Sequence, residues 1–325
     1  MDDVDIALFD YDRYNTLYFF LMNPDERIYM RYGGRGPKSP LTYLDLSSLE
    51  VALEQGLEMH ERYQNGELAK ADRPEPLFPR DIPALLEATT QRSRCVECHL
   101  IGDLQNVQRQ RDGNLDRLMH MYRSPDIKTI GIDLDVPKGL VVARTRGAVR
   151  AAGMKPGDRI THLNGAPVLT FGDLQYQYDK VRRDAKQIRI RVDRDGESAG
   201  LAITLPEYWW WTDLTYRQWS VEPRVYFKSR PLTDAEKRQY GLDPGGFASQ
   251  VTLTEGFAQI LKLHQLQAGD IVFGVDGVER DEIANTAELF IKLHKNPGDT
   301  FVLDLLRDGK RTKMEVKTTS VAFRK

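Results

Sequence analysis

Residues 147–175 read GAVRAAGMKPGDRITHLNGAPVLTFGDLQ, and this stretch predicts a small helix, a turn, a strand, a second turn and a longer helix. Gly157-Asp158 and Asn164-Gly165 are turn sequences on either side of an apolar strand candidate. The Asn-Gly pair favours a tight hairpin, because both central residues of that turn need positive φ. The pattern therefore predicts a small α+β module around this stretch.

The same pattern occurs a second time in the chain, and its Gly-Asp turn lies 112 positions after the first one. Each copy carries a Gly-Asp turn, an Asn-Gly or Asp-Gly turn, a helix candidate and a closing Asp-Gly hairpin. The matched turns are Gly157-Asp158 with Gly269-Asp270, Asn164-Gly165 with Asp276-Gly277, and Asp195-Gly196 with Asp308-Gly309. Matched landmarks in one order indicate an internal duplication.

This order of elements resembles a PDZ domain of the bacterial type found in exported high-temperature-requirement serine proteases. The resemblance covers residues 126–206, and it covers 221–320 more loosely. It implies binding by β-augmentation, in which a peptide adds to a sheet edge beside a helix and backbone N–H groups capture its terminal carboxylate. The protease domain of that family is not part of the resemblance, which covers only the repeats. We therefore expect a binding protein and not an enzyme.

The resemblance also implies where protein or C-terminal peptide ligands bind in the first copy. The expected groove is made of a loop and one helix face, namely Ile130, Gly131, Ile132, Leu174 and Tyr178. Glycine in such a loop lets the backbone approach the carboxylate. The matching position of the second copy, near Val225–Phe227, has no glycine, so we expect peptide binding in the first copy only. The alternative is that these modules serve only for packing or dimerisation.

The only two cysteines of the chain stand in the motif Cys95-Val96-Glu97-Cys98-His99. This spacing favours a c-type haem, attached through both thiols, with His99 as axial ligand. Zinc is an alternative cofactor, although a structural site needs four ligands and the other histidines are scattered. A dithiol or disulfide is the third interpretation. Such a pair is expected at a helix start after a strand, whereas a polar helix-like run precedes Cys95.

Two helices are predicted in this segment, over Ile82–Cys98 and over Asn114–Tyr122. A distal haem ligand is expected in the second helix, about 20 residues after the motif. Met119, His120 and Met121 are the candidates, and a methionine or a histidine would set different reduction potentials. Each methionine is also a normal core residue. A five-coordinate iron is a further alternative and would suit gas sensing better than electron transfer to a redox partner.

The N-terminal part predicts a hairpin over residues 16–32 followed by a helix. Ser47 and Glu50 have capping-box spacing, and the helix carries an apolar stripe of Leu49, Leu53 and Leu57. Strand, turn, strand and helix resemble the C-terminal half of a thioredoxin-like domain. The half that would carry the redox cysteines of that family is missing, so no thiol–disulfide activity is assigned.

These patterns predict a multidomain α+β protein. It combines two PDZ-like small β-barrel or sandwich domains with a partial thioredoxin-like α/β segment and a short helical segment that carries the haem motif. The expected ranges are 1–66 (thioredoxin-like), 67–80 (linker), 81–125 (haem motif), 126–206 (first PDZ), 207–220 (Trp-rich linker) and 221–320 (second PDZ-like).

Bulk composition limits the partners and the location. The 325 residues carry a net charge of −2, which gives no general attraction to nucleic acid. No apolar run is long enough to span a bilayer, and the acidic start at Met1-Asp2-Asp3 does not resemble a signal peptide. Because covalent haem attachment takes place outside the cytoplasm, we expect a periplasmic or otherwise extracytoplasmic protein whose given sequence begins after the export signal.

Overall fold

Short antiparallel sheets joined by tight turns form both halves of the chain. The computed structural model describes residues 3–37, 39–68, 73–90, 96–212, 214 and 220–320. The chain divides into two units, Met1–Arg217 and Gln218–Lys325. The mixture of small antiparallel sheets and helices confirms the α+β class. None of the helices in the described ranges is both long and apolar enough to cross a membrane.

The first unit opens with the predicted hairpin and helix. Strand β1 (Tyr18–Met22) pairs with β2 (Ile28–Gly33), and helix α1 spans Leu46–Gln64. The carboxylate of Asp45 accepts hydrogen bonds from the first turn of α1, so the predicted cap at Ser47 is wrong by two residues. An aspartate can satisfy the free N–H groups of a first helical turn as well as serine does.

The next part of this unit is helical, with α2 (Pro83–Thr90), α3 (Cys98–Arg111) and α4 (Arg117–His120). The helix predicted over Ile82–Cys98 is formed in its first half, as α2, and is wrong at its end, since Cys98 begins α3. The predicted second helix over Asn114–Tyr122 corresponds to the single turn of α4.

The first PDZ-like module contains two small sheets and two helices. Its strands are β3 (Ile132–Leu134), β4 (Val142–Thr145), β5 (Arg159–Leu163), β6 (Ala166–Pro167), β7 (Gln187–Arg194) and β8 (Glu197–Thr204). Its helices are α5 (Gly147–Ala151) and α6 (Phe171–Asp179). β3 pairs with β4, and the second sheet has the order β6-β5-β7-β8.

The second unit holds one five-stranded antiparallel sheet of order β13-β12-β11-β10-β9. Its strands are β9 (Phe227–Pro231), β10 (Ser249–Thr254), β11 (Ile271–Val275), β12 (Thr300–Arg307) and β13 (Lys310–Lys317). Its helices are α7 (Asp234–Gln239), α8 (Gly256–Ile260) and α9 (Ala287–His294). Over the residues that the structure describes, the sheets of both modules are open, so the expected barrel closure is not formed.

The predicted tight turns are present at equivalent places of the two modules. Asn164 and Asp276 have φ of 48° and 52°, and Asp195 and Asp308 have φ of 54° and 51°, each followed by a glycine with positive φ. Both central residues are therefore left-handed, as the two-residue hairpin turn requires.

A buried carboxylate fixes the Gly-Asp turn of each module. The guanidinium of Arg194 donates two hydrogen bonds to Asp158, at 2.7 and 2.8 Å. Arg307 does the same to Asp270, at 2.8 and 2.6 Å. In both modules the pair joins the turn before a central strand to the end of a long strand. The two aspartates are structural, in agreement with their expected role as turn formers.

Candidate functional site

The loop predicted to bind a terminal carboxylate has a backbone that only glycine tolerates. Gly131 has a φ of +99°, and a Cβ atom there would lie 2.3 Å from the carbonyl oxygen of Arg146. The carbonyl of Gly131 accepts a hydrogen bond from the N–H of Arg146, at 2.8 Å, which ties the loop to the start of α5. The loop therefore leads into β3 in a fixed orientation.

All five residues predicted to form the peptide groove are buried. These are Ile130, Gly131 and Ile132 at the start of β3, and Leu174 and Tyr178 on α6. Two aromatic residues from outside the module, Tyr43 and Trp209, contact both the loop side and the helix side. The groove of the first module is thus closed by the same chain.

Tyr43 lies between the loop and the start of α6. Its ring stacks on Phe171 with a centroid distance of 3.4 Å and an interplanar angle of 14°. Its hydroxyl donates a hydrogen bond of 2.6 Å to Oδ1 of Asp126, which precedes the loop. The ammonium group of Lys128 lies 5.5 Å from the ring centroid. The side chain is only 2% exposed.

A backbone segment from the N-terminal hairpin follows α6 next to Tyr43. The side-chain amide of Gln175 accepts from the N–H of Arg35 at 3.0 Å and donates to the carbonyl of Arg35 at 2.9 Å. The N–H of Arg31 donates to Asp173 at 2.9 Å. Gly34 packs against Phe171, where a Cβ atom would clash with the ring. The helix thus binds an extended segment of its own chain.

Trp209 covers the loop end of the groove. Its carbonyl accepts a hydrogen bond from the hydroxyl of Thr129 at 2.8 Å, and its ring lies 4.9 Å from that of Tyr178. Trp209 and Trp210 are buried, whereas Trp211 is partly exposed. Part of the range expected as a Trp-rich linker is therefore integral to the first unit. Trp219 lies outside the described residues.

Asp126 is the charged group of this groove. Burial raises the pKa of Asp126, and the hydrogen bonds from the N–H of Lys128 and from Tyr43 act against that shift. Both of these bonds go to Oδ1. Within the described part of the chain, the buried Oδ2 has no hydrogen-bond partner. The closed groove therefore contains a carboxylate with one unused acceptor atom.

The second module carries a tyrosine where the first has Gly131. The carbonyl of Tyr226 accepts a hydrogen bond of 2.9 Å from the N–H of Glu255, the residue before α8, as Gly131 does from Arg146 before α5. Tyr226 has a φ of +54°. The left-handed conformation is thus kept without glycine, at some cost in backbone strain.

An apolar cluster surrounds Tyr226 on the surface of the second module. The ring of Phe257 lies 5.7 Å from that of Tyr226. Phe257, Ile260 and Leu261 are exposed, Ile260 by 74%. The matching places in the first module, counted from the start of each small helix, hold alanines: Ala148, Ala151 and Ala152.

The haem motif is only partly within the described residues, because Cys95 lies outside them. Cys98 is the first residue of α3 and is partly buried. The side chain of His99 is 38% exposed, and its Nε2 lies 3.1 Å from a carboxylate oxygen of Glu97. In the described half of the motif, the imidazole of His99 is therefore partly exposed and in contact with Glu97.

The three candidate distal ligands are not equivalent. Met119 and His120 line a cavity of about 1530 Å³, and Met121 is fully buried. Burial, together with the charge of Arg109, lowers the pKa of His120 to about 4, so this imidazole is neutral at neutral pH. Cys98 and His99 are not among the described residues that line the cavity. The structure therefore does not bring a distal candidate and His99 to one cavity.

The described residues offer no complete ligand set for the zinc alternative. Among the described residues, no three His, Cys, Asp or Glu side chains are grouped as a metal site.

Sequence reasoning missed four contributors to the groove, namely Tyr43, Asp126, Phe171 and Gln175. Phe171 and Gln175 share a helix face with Tyr178, and their spacing of four and then three residues would have identified them. Tyr43 and Asp126 carry no such signal, since they reach the groove only through the tertiary fold.

No protein-family model matches the chain. Over 166 residues, half of the chain, it is 27% identical to the periplasmic serine endoprotease DegP of Salmonella typhimurium and 26% identical to DegP of Escherichia coli strain K12. The match spans 31% of the length of each of these relatives. This similarity supports the resemblance of the repeats to proteases of the high-temperature-requirement type, whereas the thioredoxin-like segment and the haem stay predictions.

Two solved structures illustrate the distance to known folds. An HtrA-type protease, AlgW with a decapeptide, is 13% identical and covers 51% of this chain and 55% of that chain, with a TM-score of 0.26. A serine endoprotease from Yersinia pestis is 14% identical and covers 32% and 30%, with a TM-score of 0.22. Scores this low do not establish a common overall fold.

Proposed function

We propose that this chain is a non-enzymatic, extracytoplasmic protein that binds peptide segments of other proteins through PDZ-type modules. Its sequence similarity to periplasmic proteases supports both the module type and the location. The match spans less than a third of those relatives. The Gly-x-Ser-x-Gly sequence at residues 196–200 lies in the β7–β8 hairpin, where Ser198 pairs with Asp193 as a strand residue. Binding, and not proteolysis, is the function that these residues favour.

The observation that carries the proposal is the use of the first module's groove by a segment of its own chain. Gln175 satisfies both backbone groups of Arg35, and Phe171 provides an aromatic platform for Tyr43. The first contact binds main-chain groups through a side-chain amide of the groove helix, and the second is a side-chain pocket of the kind by which such modules select extended peptides.

The first module is the better candidate because its loop has no side chain at the critical position. Gly131 places no side chain in its loop, whereas the equivalent loop of the second module carries the ring of Tyr226, next to the ring of Phe257. We therefore assign peptide ligands to Ile130, Gly131, Ile132, Leu174 and Tyr178 of the first module.

A display library of peptides with free C-termini, screened against the full chain, tests this function. We expect bound peptides to slow amide hydrogen exchange in residues 130–134 and 171–179. The assignment would be ruled out if the bound peptides slowed exchange only in the second module. It would also be ruled out if no peptide of the library bound either the wild type or a variant with an opened groove.

A haem attached through Cys95 and Cys98 with His99 as ligand stays a second proposal. The position of Cys98 at the start of α3, with His99 partly exposed, is the observation in its favour. When bound, the haem would supply one-electron chemistry or a site for a diatomic ligand. Haem staining of denatured protein, made in a host with haem-attachment enzymes, tests this proposal: a Cys98→Ala variant should lose the stain.

A further inference from the structure

We infer that Tyr43 is an internal ligand that closes the groove of the first module, and that the groove accepts a tyrosine-bearing segment of a partner in its place. This inference rests on the proposed function, because it concerns regulation and specificity of the same groove. Its basis is the set of contacts that one side chain makes to the helix and to the residues flanking the loop.

The first step is that Tyr43 reaches the groove from a turn whose other residues are exposed or partly buried. The carbonyl of Leu41 accepts a hydrogen bond from the N–H of Leu44, and the hydroxyl of Thr42 donates to the carbonyl of Ser39. Leu41 is 54% exposed. The turn has its own hydrogen bonds, so the Tyr43 side chain can leave the groove without disrupting the sheets of the module.

The second step concerns the chemistry of the pocket. Phe171 offers a flat apolar face, and Asp126 offers a carboxylate that is 3% exposed. A phenol satisfies both, since its ring stacks and its hydroxyl donates. Phenylalanine would leave the buried carboxylate without this donor, which costs more than the hydrogen bond itself contributes. An acidic side chain would be repelled by Asp126.

The third step is that binding and closure exclude each other. Tyr43 contacts Phe171 and Asp126 on both sides of the groove, so no second aromatic side chain can occupy the same space. The attached Tyr43 has a high effective concentration, which lowers the apparent affinity of any free segment. A partner therefore binds only when the turn at residues 39–44 moves away or when the partner competes strongly.

Hydrogen exchange of the full chain is the first test. Tyr43→Phe keeps the stacking and loses the bond to Asp126, and Tyr43→Ala loses both. We expect exchange in residues 130–134 to be about tenfold faster in Tyr43→Phe and faster still in Tyr43→Ala. Tyr240→Ala, at a partly exposed tyrosine of the second unit, is the matched control and should leave this region unchanged.

Binding of a defined probe is the second test. The probe is a capped peptide with the sequence SPLTYLDLS, residues 39–47 of the chain, and a matched peptide carries Phe in place of Tyr. We expect the tyrosine peptide to bind Tyr43→Ala at least about tenfold more tightly than it binds the wild type. It should also bind Tyr43→Ala more tightly than the phenylalanine peptide does.

The outcomes separate the inference from the proposed function. Equal exchange and equal peptide binding in wild type and both variants would overturn the internal-ligand role. Equal affinity of Tyr43→Ala for the two peptides would overturn the tyrosine preference. Faster exchange in the variants, with no library peptide bound by any of them, would uphold closure by Tyr43 and remove the proposed function.

Discussion

In the first module a glycine with φ of +99° leads into the strand beside the groove, and in the second a tyrosine with φ of +54° holds the same place. The two carbonyls accept equivalent hydrogen bonds, from Arg146 and from Glu255. The scaffold of the loop is therefore shared, although the residue at its centre is not.

The surroundings of the two loops also differ, because the first loop is covered by large side chains and the second lies beside exposed ones. The first loop is buried under Tyr43 and Trp209. The second is bordered by the exposed side chains of Phe257 and Ile260. The two modules share the turns and the buried Asp–Arg pairs, while the positions near the loop hold small residues in the first module and large apolar residues in the second. The comparison separates what the module needs to fold from what each copy presents to other molecules.

The largest expected effect comes from a methyl group added to the first loop. Gly131→Ala should lower the free energy of unfolding of the first unit by about 3 kcal/mol, because a left-handed strain adds to a clash with the Arg146 carbonyl. Tyr226→Gly should change the free energy of unfolding of the second unit by less than about 1 kcal/mol, since relief of backbone strain offsets the lost contact with Phe257. Chemical denaturation followed by circular dichroism measures both.

Gly153→Ala separates the strain from the clash. Gly153 has a φ of +90°, and a Cβ atom at this position would have no neighbouring atom within 4 Å. The equivalent residue of the second module is Lys262, with a φ of 53°. The free energy of unfolding of the first unit should be only about 1 kcal/mol lower in Gly153→Ala than in the wild type. If Gly131→Ala is no worse than Gly153→Ala, the close approach of the Arg146 carbonyl is not what keeps glycine in the loop.

The next effect tests what the two modules share. Asp158→Asn should lower the free energy of unfolding of the first unit by about 2 kcal/mol, and Asp270→Asn should do the same in the second unit. Each substitution weakens a buried contact in which arginine donates two hydrogen bonds to the carboxylate. The partly exposed arginines keep the loss below that of a fully buried pair. Asp184→Asn is the control: Arg182 binds Asp184 with the same geometry on the surface. That variant should leave the free energy of unfolding nearly unchanged, because solvent screens an exposed ion pair. Clearly unequal costs for Asp158 and Asp270 would argue against a shared scaffold.

The repeats could be predicted because their signals are local. Asn164 and Asp276 each precede a glycine, and that pair alone specifies the turn that the structure contains. The same reasoning failed for α1, where Leu53 and Leu57 are exposed, Leu57 by 67%, although the leucine stripe predicts a buried face. The helix buries Ala52 and Gly56 instead, because the missing side chain of Gly56 lets Leu21 approach closely.

The groove could be predicted only in part, for a different reason. Gly131 and Tyr178 follow from the module pattern, and both lie in the closed groove. Tyr43 is far from either residue in the chain, and its neighbours show no periodicity that points to the groove. Cys98 shows the same limit, since the polar run before the motif resembles a helix whereas the described helix begins at Cys98.

Acid should weaken the two modules in parallel. Burial alone would raise the pKa of Asp158 and of Asp270, but hydrogen bonds from Arg194 and Arg307 hold both below the ordinary value of 3.8. A lowered folded-state pKa gives stability that is present above the unfolded-state pKa and is lost as pH falls through the folded value. We expect this contribution to be constant from pH 7 to about pH 5 and to decline below pH 4. Urea titrations of the wild type and both Asn variants should converge at low pH; a gap that persists at pH 2 would contradict this linkage.

The smallest effect on stability tests the surface difference between the modules. Ile260→Ala in the second module and Ala151→Ile in the first exchange the residues at one matched, exposed position. Each should change the free energy of unfolding by less than about 0.5 kcal/mol, because neither side chain is part of a core. Binding of the dye ANS should decrease in the first variant and increase in the second, since exposed apolar area is what the dye detects. If dye binding is the same in both variants as in the wild type, the exposed apolar side chains next to Tyr226 are covered in solution. The two loops would then differ in their buried contacts and not in the apolar surface that they expose.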